Sequence, residues 1–198
     1  MTPPRVLIIA GSDSGGGAGI QADIKTVTML GGFAMTAVTA ITAQNTLGVQ
    51  DVYPVPAEFV ATQIDSVLDL GVDVVKLGML ATPEIARTVE TLLRFSFDNV
   101  PVVFDPVMVA TSGDALNEDG TFDAMQAIAG LATVTTPNLP ELELLADRAI
   151  GSAEELEEAA RAFADDTGRA VLAKGGHLEG DLLTDVLVMP DGQVRRWS

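Results

Sequence analysis

The chain has 198 residues, room for one α/β domain but not for two ample ones. Hydrophobic residues make up 47% of it and charged residues 20%, a composition that excludes a disordered chain. The net charge of −17 argues against any sequence-independent grip on nucleic acid or on a membrane surface. With no Cys and one His, structural zinc, Fe–S clusters, disulfides and Cys nucleophiles are excluded as well.

The apolar run 6–10 is shorter than a signal-peptide core, and no apolar stretch approaches the ~20 residues of a membrane span. The expectation is a soluble, cytoplasmic protein. Residues 5–10 read as a buried strand, and 18–30 as a helix stopped by Gly31 and Gly32. Residues 34–43, rich in Thr, Val and Ile, read as a second strand. A helix is expected over 56–70, with Phe59, Val60, Ile64, Val67 and Leu68 on one face. Residues 73–77 form a strand. Thr82 and Pro83 open a helix that runs to about Phe95.

A strand over 100–104 closes on Asp105 and Pro106, and 110–120 has loop composition. Further elements are a helix near 121–131, a strand at 132–136, helices at 140–147 and 152–167, and a strand at 170–173. Ser152 and Glu155 have capping-box spacing. Residues 183–189 and 193–197 read as an antiparallel hairpin. The acidic excess concentrates in residues 100–198, much of it on the 152–167 helix, as expected of a solvated face. Strand–helix alternation predicts a single α/β domain over 1–198, with a mainly parallel sheet and helices on both faces. Ligands gather at the C-terminal strand ends of such sheets. There the sequence places the loops 11–19, 44–48, 105–114 and 137–141, and the turn after Ala173.

Residues 11–19 hold five glycines between a strand and a helix, so backbone N–H groups can approach a ligand closely. The loop is not a Walker A motif, because Gly17 stands where its Lys would be. It is not the dinucleotide fingerprint either, because Ile20 replaces the third glycine. Asp23 follows in what reads as a first helical turn, where a carboxylate is favoured by the helix dipole. Gln44 offers an amide suited to the edge of a heteroaromatic ring, and Met79 a thioether suited to its face. Asp105 stands at a strand end, and Asn138 and Glu141 suit a capping box. Together these three could form an acidic magnesium site. Lys174, one of three lysines, precedes Gly175, Gly176 and His177 and could act as a point charge for phosphate. His177 reads as solvated rather than catalytic.

The segments GSDSGGGAGIQADIKT, TAITAQNTLGVQ, KLGML, DPVMVATSGD, TPNLPE and KGGH occur in series from residue 11 to residue 177. In that order and spacing the chain resembles the bacterial hydroxymethylpyrimidine/phosphomethylpyrimidine kinases of thiamine biosynthesis, members of the ribokinase-like superfamily. The resemblance runs from residue 5 to the C-terminus. It implies a three-layer α/β/α fold and an ATP- and Mg²⁺-dependent phosphotransferase. The substrates would be 4-amino-5-hydroxymethyl-2-methylpyrimidine and its monophosphate. Gly11, Ala18, Asp23, Gln44 and Met79 would form the pyrimidine pocket, with Val107 and the 110–114 loop closing over it. Asp105, Asn138 and Glu141 would organise magnesium and phosphates, Asp105 and Glu141 as the carboxylates. Lys174 would lie at the transferred phosphate, with Gly175 and Gly176 in the nucleotide region. A homodimer is a further implication.

In the family a Gly-Thr-Gly-Cys segment follows the hairpin and forms the anion hole. This sequence runs to Ser198 without one. The expectation is a C-terminally truncated kinase that binds pyrimidine and transfers phosphate poorly. Pyridoxal kinase activity, a non-catalytic pyrimidine-binding module and a purely structural α/β domain are the alternatives.

Overall fold

The computed structural model describes residues 2–107, 121–176, 178 and 183–198. Its strands are β1 (Arg5–Asp13), β2 (Phe33–Asn45), β3 (Gly48–Pro54), β4 (Val74–Leu77), β5 (Val102–Phe104), β6 (Val134–Thr135), β7 (Ala170–Ala173), β8 (Asp185–Val188) and β9 (Val194–Trp197). They form one sheet in the order β3-β2-β1-β4-β5-β6-β7-β8-β9. Pairing is parallel from β2 to β7 and antiparallel at both edges. The helices are α1 (Gly19–Met29), α2 (Ala57–Asp65), α3 (Pro83–Ser96), α4 (Thr121–Leu131), α5 (Leu139–Ala146) and α6 (Ala153–Thr167). None among the described residues is long and apolar enough to cross a membrane.

The expected alternation is present, with two departures. β2 runs on to Asn45 and turns back at once into the antiparallel β3, where sequence suggested a loop. Asn45 Oδ1 accepts from Leu47 N–H at 2.8 Å and closes that turn. The helix expected over 56–70 ends at Asp65, and a short 3₁₀ turn covers Leu68–Leu70. Val60 and Ile64, one turn apart, are the buried row of α2. Phe59, expected beside them, is 57% exposed, because it sits a hundred degrees round the helix from Val60.

Helix starts follow their caps. Thr82 Oγ1 accepts from Ile85 N–H at 3.2 Å, and Pro83 occupies the first helical position of α3. Asn138 and Glu141 form the full capping box of α5. At α6 only half of the expected box forms. Ser152 Oγ accepts from Glu155 N–H, but Glu155 Oε2 accepts from Gly151 N–H instead of closing the ring.

From β1 the chain crosses one way to β2 and the other way from β4 through β7. Right-handed crossovers therefore place α1 on one face of the sheet and α3 to α6 on the other. On the α3 face Leu7, Ile9, Val75, Leu77, Val102, Phe104 and Val171 join Ile64 of α2, Val89 of α3, Ile128 of α4, Leu142 of α5 and Phe163 of α6 in one buried cluster. In β4 to β7 the alternate residues Lys76, Val103, Val134 and Leu172 face the other way and are only half-buried. α1 itself buries no residue fully.

Candidate active site

A cavity of about 320 Å³ opens at the C-terminal ends of β1, β2 and β4, on the α1 side. It is lined by all the residues expected of a pyrimidine pocket: Gly11, Ala18, Asp23, Gln44, Met79 and Val107, with Asp105 at one end. Irregularities of register shape it. β1 slips against β2 between Ala10 and Ser12, and β2 slips against β3 between Ala43 and Gln44. Such bulges re-aim side chains and recur beside binding sites. Here they fall at Gly11 and Gln44. Ser14 Oγ donates to Gln44 O and accepts from Gln44 N–H, both at 2.7 Å, which fixes the amide's backbone. Thr39 Oγ1 donates to Met79 O at 2.6 Å. A Cβ at Gly11 would lie 2.5 Å from Met79 Cε, so any side chain there would push the thioether end out of its present place against the strand.

The glycine loop departs from expectation. The N–H groups of Gly15, Gly16, Gly17 and Ala18 are already taken within the loop. Asp13, at the end of β1 and 5% exposed, accepts from Gly15 N–H at 2.7 Å and from Gly17 and Ala18 N–H at 2.8 Å. Burial pushes the Asp13 pKa up, but these backbone donors and that of Gly16 outweigh it and hold it below the ordinary carboxylate value. The loop is an anion nest that the chain fills itself. Gln21 locks the same turn: its Oε1 accepts from Asp13 N–H, and its Nε2 donates to Ser12 Oγ.

Asp23 is also placed differently. α1 has no acidic residue in its first turn, so the helix dipole is not the reason for Asp23. Its carboxylate instead accepts from Lys76 Nζ at 2.7 Å, across from β4, with both side chains about one-fifth exposed. Lys76 lines the cavity as well.

At the other end, Lys174 Nζ donates to Asp105 Oδ1 at 2.8 Å, and Thr136 Oγ1 donates to the same oxygen at 3.1 Å. Asn138 bridges in parallel to Lys174, which ties the start of α5 to the end of β7. Glu141 is 6% exposed. Its Oε2 accepts from Asn138 N–H at 2.8 Å. Burial pushes its pKa above the usual carboxylate value, the Asn138 N–H pulls it down, the Asp105 carboxylate raises it and the Lys174 ammonium lowers it. Asp105, Asn138, Glu141 and Lys174 thus form one charged cluster at converging strand ends. Gly175 N–H donates to Asp185 Oδ1 at 3.0 Å, and Gly176 is exposed beside it. Neither glycine lines the cavity. The 110–114 loop and His177 lie outside the described residues.

Sequence reasoning overlooked Asp13, Lys76 and Thr136, and Val49 and Val52, which β3 brings to the cavity wall. For Asp13 the signal was there: a carboxylate two residues before a glycine run has donors within reach. Lys76 broke the apolar alternation of β4 and could have been noticed for that. A second groove, lined by Phe97, Pro101, Leu131 and Arg169, lies at the opposite ends of the strands and gathers no such charge pair.

The model of the phosphomethylpyrimidine kinase family matches residues 13–198. A hydroxymethylpyrimidine/phosphomethylpyrimidine kinase of Mycobacterium tuberculosis is 49% identical over 192 residues, 93% of this chain and 70% of that protein. A thiamine biosynthesis multifunctional protein of Corynebacterium efficiens is 47% identical over 193 residues, 96% of this chain but 26% of its own length. Among solved structures, phosphomethylpyrimidine kinase of Clostridium difficile superposes with a TM-score of 0.87 at 36% identity, covering 98% of this chain and 84% of that one. Pyridoxal kinase of Bacillus subtilis has the same TM-score at 32% identity, covering 99% of this chain and 74% of that one. The ribokinase-like α/β fold is therefore shared, and the chain belongs to the phosphomethylpyrimidine kinase family.

Proposed function

We propose that this chain belongs to an ATP-dependent kinase that phosphorylates 4-amino-5-hydroxymethyl-2-methylpyrimidine and then its monophosphate. The observation that carries this reading is the juxtaposition of two unlike regions. A ring-sized cavity lined by Gly11, Gln44, Met79 and Val107 ends at Asp105, and Asp105 is the edge of the Lys174–Glu141 cluster. A substrate with its ring among Gln44 and Met79 would present its hydroxymethyl group towards the charged end. Phosphoryl transfer needs little more from a protein than positioning and charge neutralisation.

The acidic residues suit magnesium–ATP. Glu141 is buried with a raised pKa, beside a second carboxylate, a pair that a cation would stabilise. Among the described residues no three metal-ligating side chains converge, so a magnesium ion here would rest on Asp105, Glu141 and phosphate oxygens. Magnesium–ATP would supply the electrophilic phosphorus and neutralise its developing charge. Lys174 would release Asp105 and take a phosphate oxygen, and Asn138 would hold the start of α5 in place.

The pyridoxal kinase alternative draws support from the equal TM-score of the Bacillus subtilis enzyme. A calorimetric titration separates the two. The chain is expected to bind hydroxymethylpyrimidine more tightly than pyridoxal, and Gln44→Ala to weaken the pyrimidine at least tenfold. Tighter binding of pyridoxal, or of neither ring by the folded chain, would overturn the reading.

A further inference from the structure

The Asp13 carboxylate is nearly buried and lines the cavity, on a glycine loop whose N–H groups could otherwise face a phosphate. It holds the donors of Gly15, Gly17 and Ala18 at 2.7–2.8 Å. An ideal Cβ on Gly15 would sit 3.2 Å from Asp13 Oδ1, so the turn is wrapped closely round the carboxylate. Two neighbours extend the lattice. Gln21 ties Asp13 and Ser12 to α1, and Thr42 Oγ1 donates to Ser12 O at 2.9 Å from β2.

We infer that Asp13 is a positioning residue that sets which end of a substrate enters this side of the cavity. By occupying the nest it folds the loop down against the start of α1, which places Ala18 as cavity wall. By filling the nest with negative charge it also denies the site to phosphate. With Asp23 paired to Lys76 nearby, this end is left for an uncharged ring, and an anionic group is directed towards Lys174. The loop's glycines therefore serve the internal carboxylate rather than a nucleotide. The inference rests on the kinase reading only for the identity of the ring.

Two measurements test it. Amide hydrogen exchange on the wild-type chain needs neither a variant nor a ligand, and Gly15, Gly17 and Ala18 are expected to exchange at least tenfold more slowly than their intrinsic rates. Asp13→Asn keeps the shape but replaces one acceptor oxygen with a donor that faces N–H groups. The variant is expected to bind hydroxymethylpyrimidine at least tenfold more weakly, with magnesium–ATP affinity within twofold of wild type. A general loss of structure would weaken both ligands together and would overturn the positioning role, as would unchanged pyrimidine affinity. Asp13→Ala empties the nest, and formate is expected to restore pyrimidine binding to it but to leave the wild type unchanged. If the wild-type chain binds no pyrimidine, the kinase reading fails, and the exchange rates still decide whether Asp13 holds the loop. Unprotected amides at all three positions would refute that.

Discussion

The two faces of the sheet are made by the same strands, residue by alternate residue, and they have different contents. On the α3 face Leu7, Leu77, Val102 and Phe104 are buried beneath five helices. On the α1 face Ile8 and Ala10 of β1 are buried too, but the intervening positions of β4 to β7 are Lys76, Val103, Val134 and Leu172, all half-buried, and here lie the cavity and its charged residues. Stability and chemistry are thus divided by the pleat. A charge such as Lys76 would be severely penalised one residue earlier or later, since the dry face offers no partner or solvent. At its own position it meets Asp23 and the cavity.

The largest expected effect breaks this comparison directly, using two consecutive residues of β5. Phe104→Ala removes a fully buried ring and is expected to destabilise the chain by about 3–5 kcal/mol. Val103→Ala, on the half-buried face, is expected to cost less than about 1.5 kcal/mol. Urea unfolding measures both. Equal losses would mean that the α1 face is packed as tightly as its opposite.

Glu141 sharpens the comparison, because it is a buried charge placed at the boundary. Its folded pKa is raised. The folded state therefore holds its proton more tightly than the unfolded state does, and this residue's contribution to stability falls as pH rises from the ordinary Glu value through the raised one. Glu141→Gln keeps an acceptor for the Asn138 N–H, so the cap survives while the charge is lost. The variant is expected to lose that part of the pH dependence and to be at least as stable as wild type at pH 7. Magnesium–ATP is expected to bind it about tenfold more weakly or worse, ~1.4 kcal/mol. Paired titration and thermal unfolding check this. Loss of stability at pH 7 would show that Glu141 is a structural cap rather than a charge kept for a ligand.

Much of this organisation is legible in the sequence, and the reasons are local. Thr82-Pro83 and Asn138-x-x-Glu141 are caps made within four residues, and α3 and α5 begin where they say. The apolar strands 73–77 and 170–173 announce themselves by composition and emerge within a residue of those limits. The cavity residues were legible through family segments rather than through periodicity. What escaped depends on chain reversal and on distant partners. β3 lacks an apolar face, with Asp51 and Tyr53 exposed, and is fixed by pairing with β2 rather than by its own pattern. Lys76 and Asp23 are 53 residues apart, so no window shows them as a pair. The bulges at Gly11 and Gln44 are register events between strands, which a single strand's sequence does not encode.

The smallest expected effect concerns the opposite ends of the strands, and it separates a surface pair from the buried carboxylate at the site. Arg5 grips Asp73 with Nη2 on Oδ1 at 2.8 Å and Nε on Oδ2 at 2.9 Å. The guanidinium hydrogen bonds, and then the Arg5 backbone N–H, hold the Asp73 pKa at about 2 against the opposing effect of burial. A depressed carboxylate contributes stability above its ordinary value of 3.8, and the contribution is lost as pH falls from there towards about 2. Both side chains are more than one-third exposed, so solvent and salt screen the pair and its share is small. Asp73→Asn is expected to flatten the acid limb slightly between pH 3.8 and about 2, and added salt should shrink the difference between variant and wild type. Asp13, also depressed, loses its contribution as pH falls below the ordinary carboxylate value, but its carboxylate is 5% exposed and held by backbone N–H groups, so salt screens it less. Thermal unfolding from pH 2 to 7 at low and high salt therefore tells the two ends apart: the Asp73 component should fade with salt and the Asp13 component should remain. An acid limb abolished by salt altogether would mean that the filled nest contributes nothing to stability, and that Asp13 acts on the shape of the cavity alone.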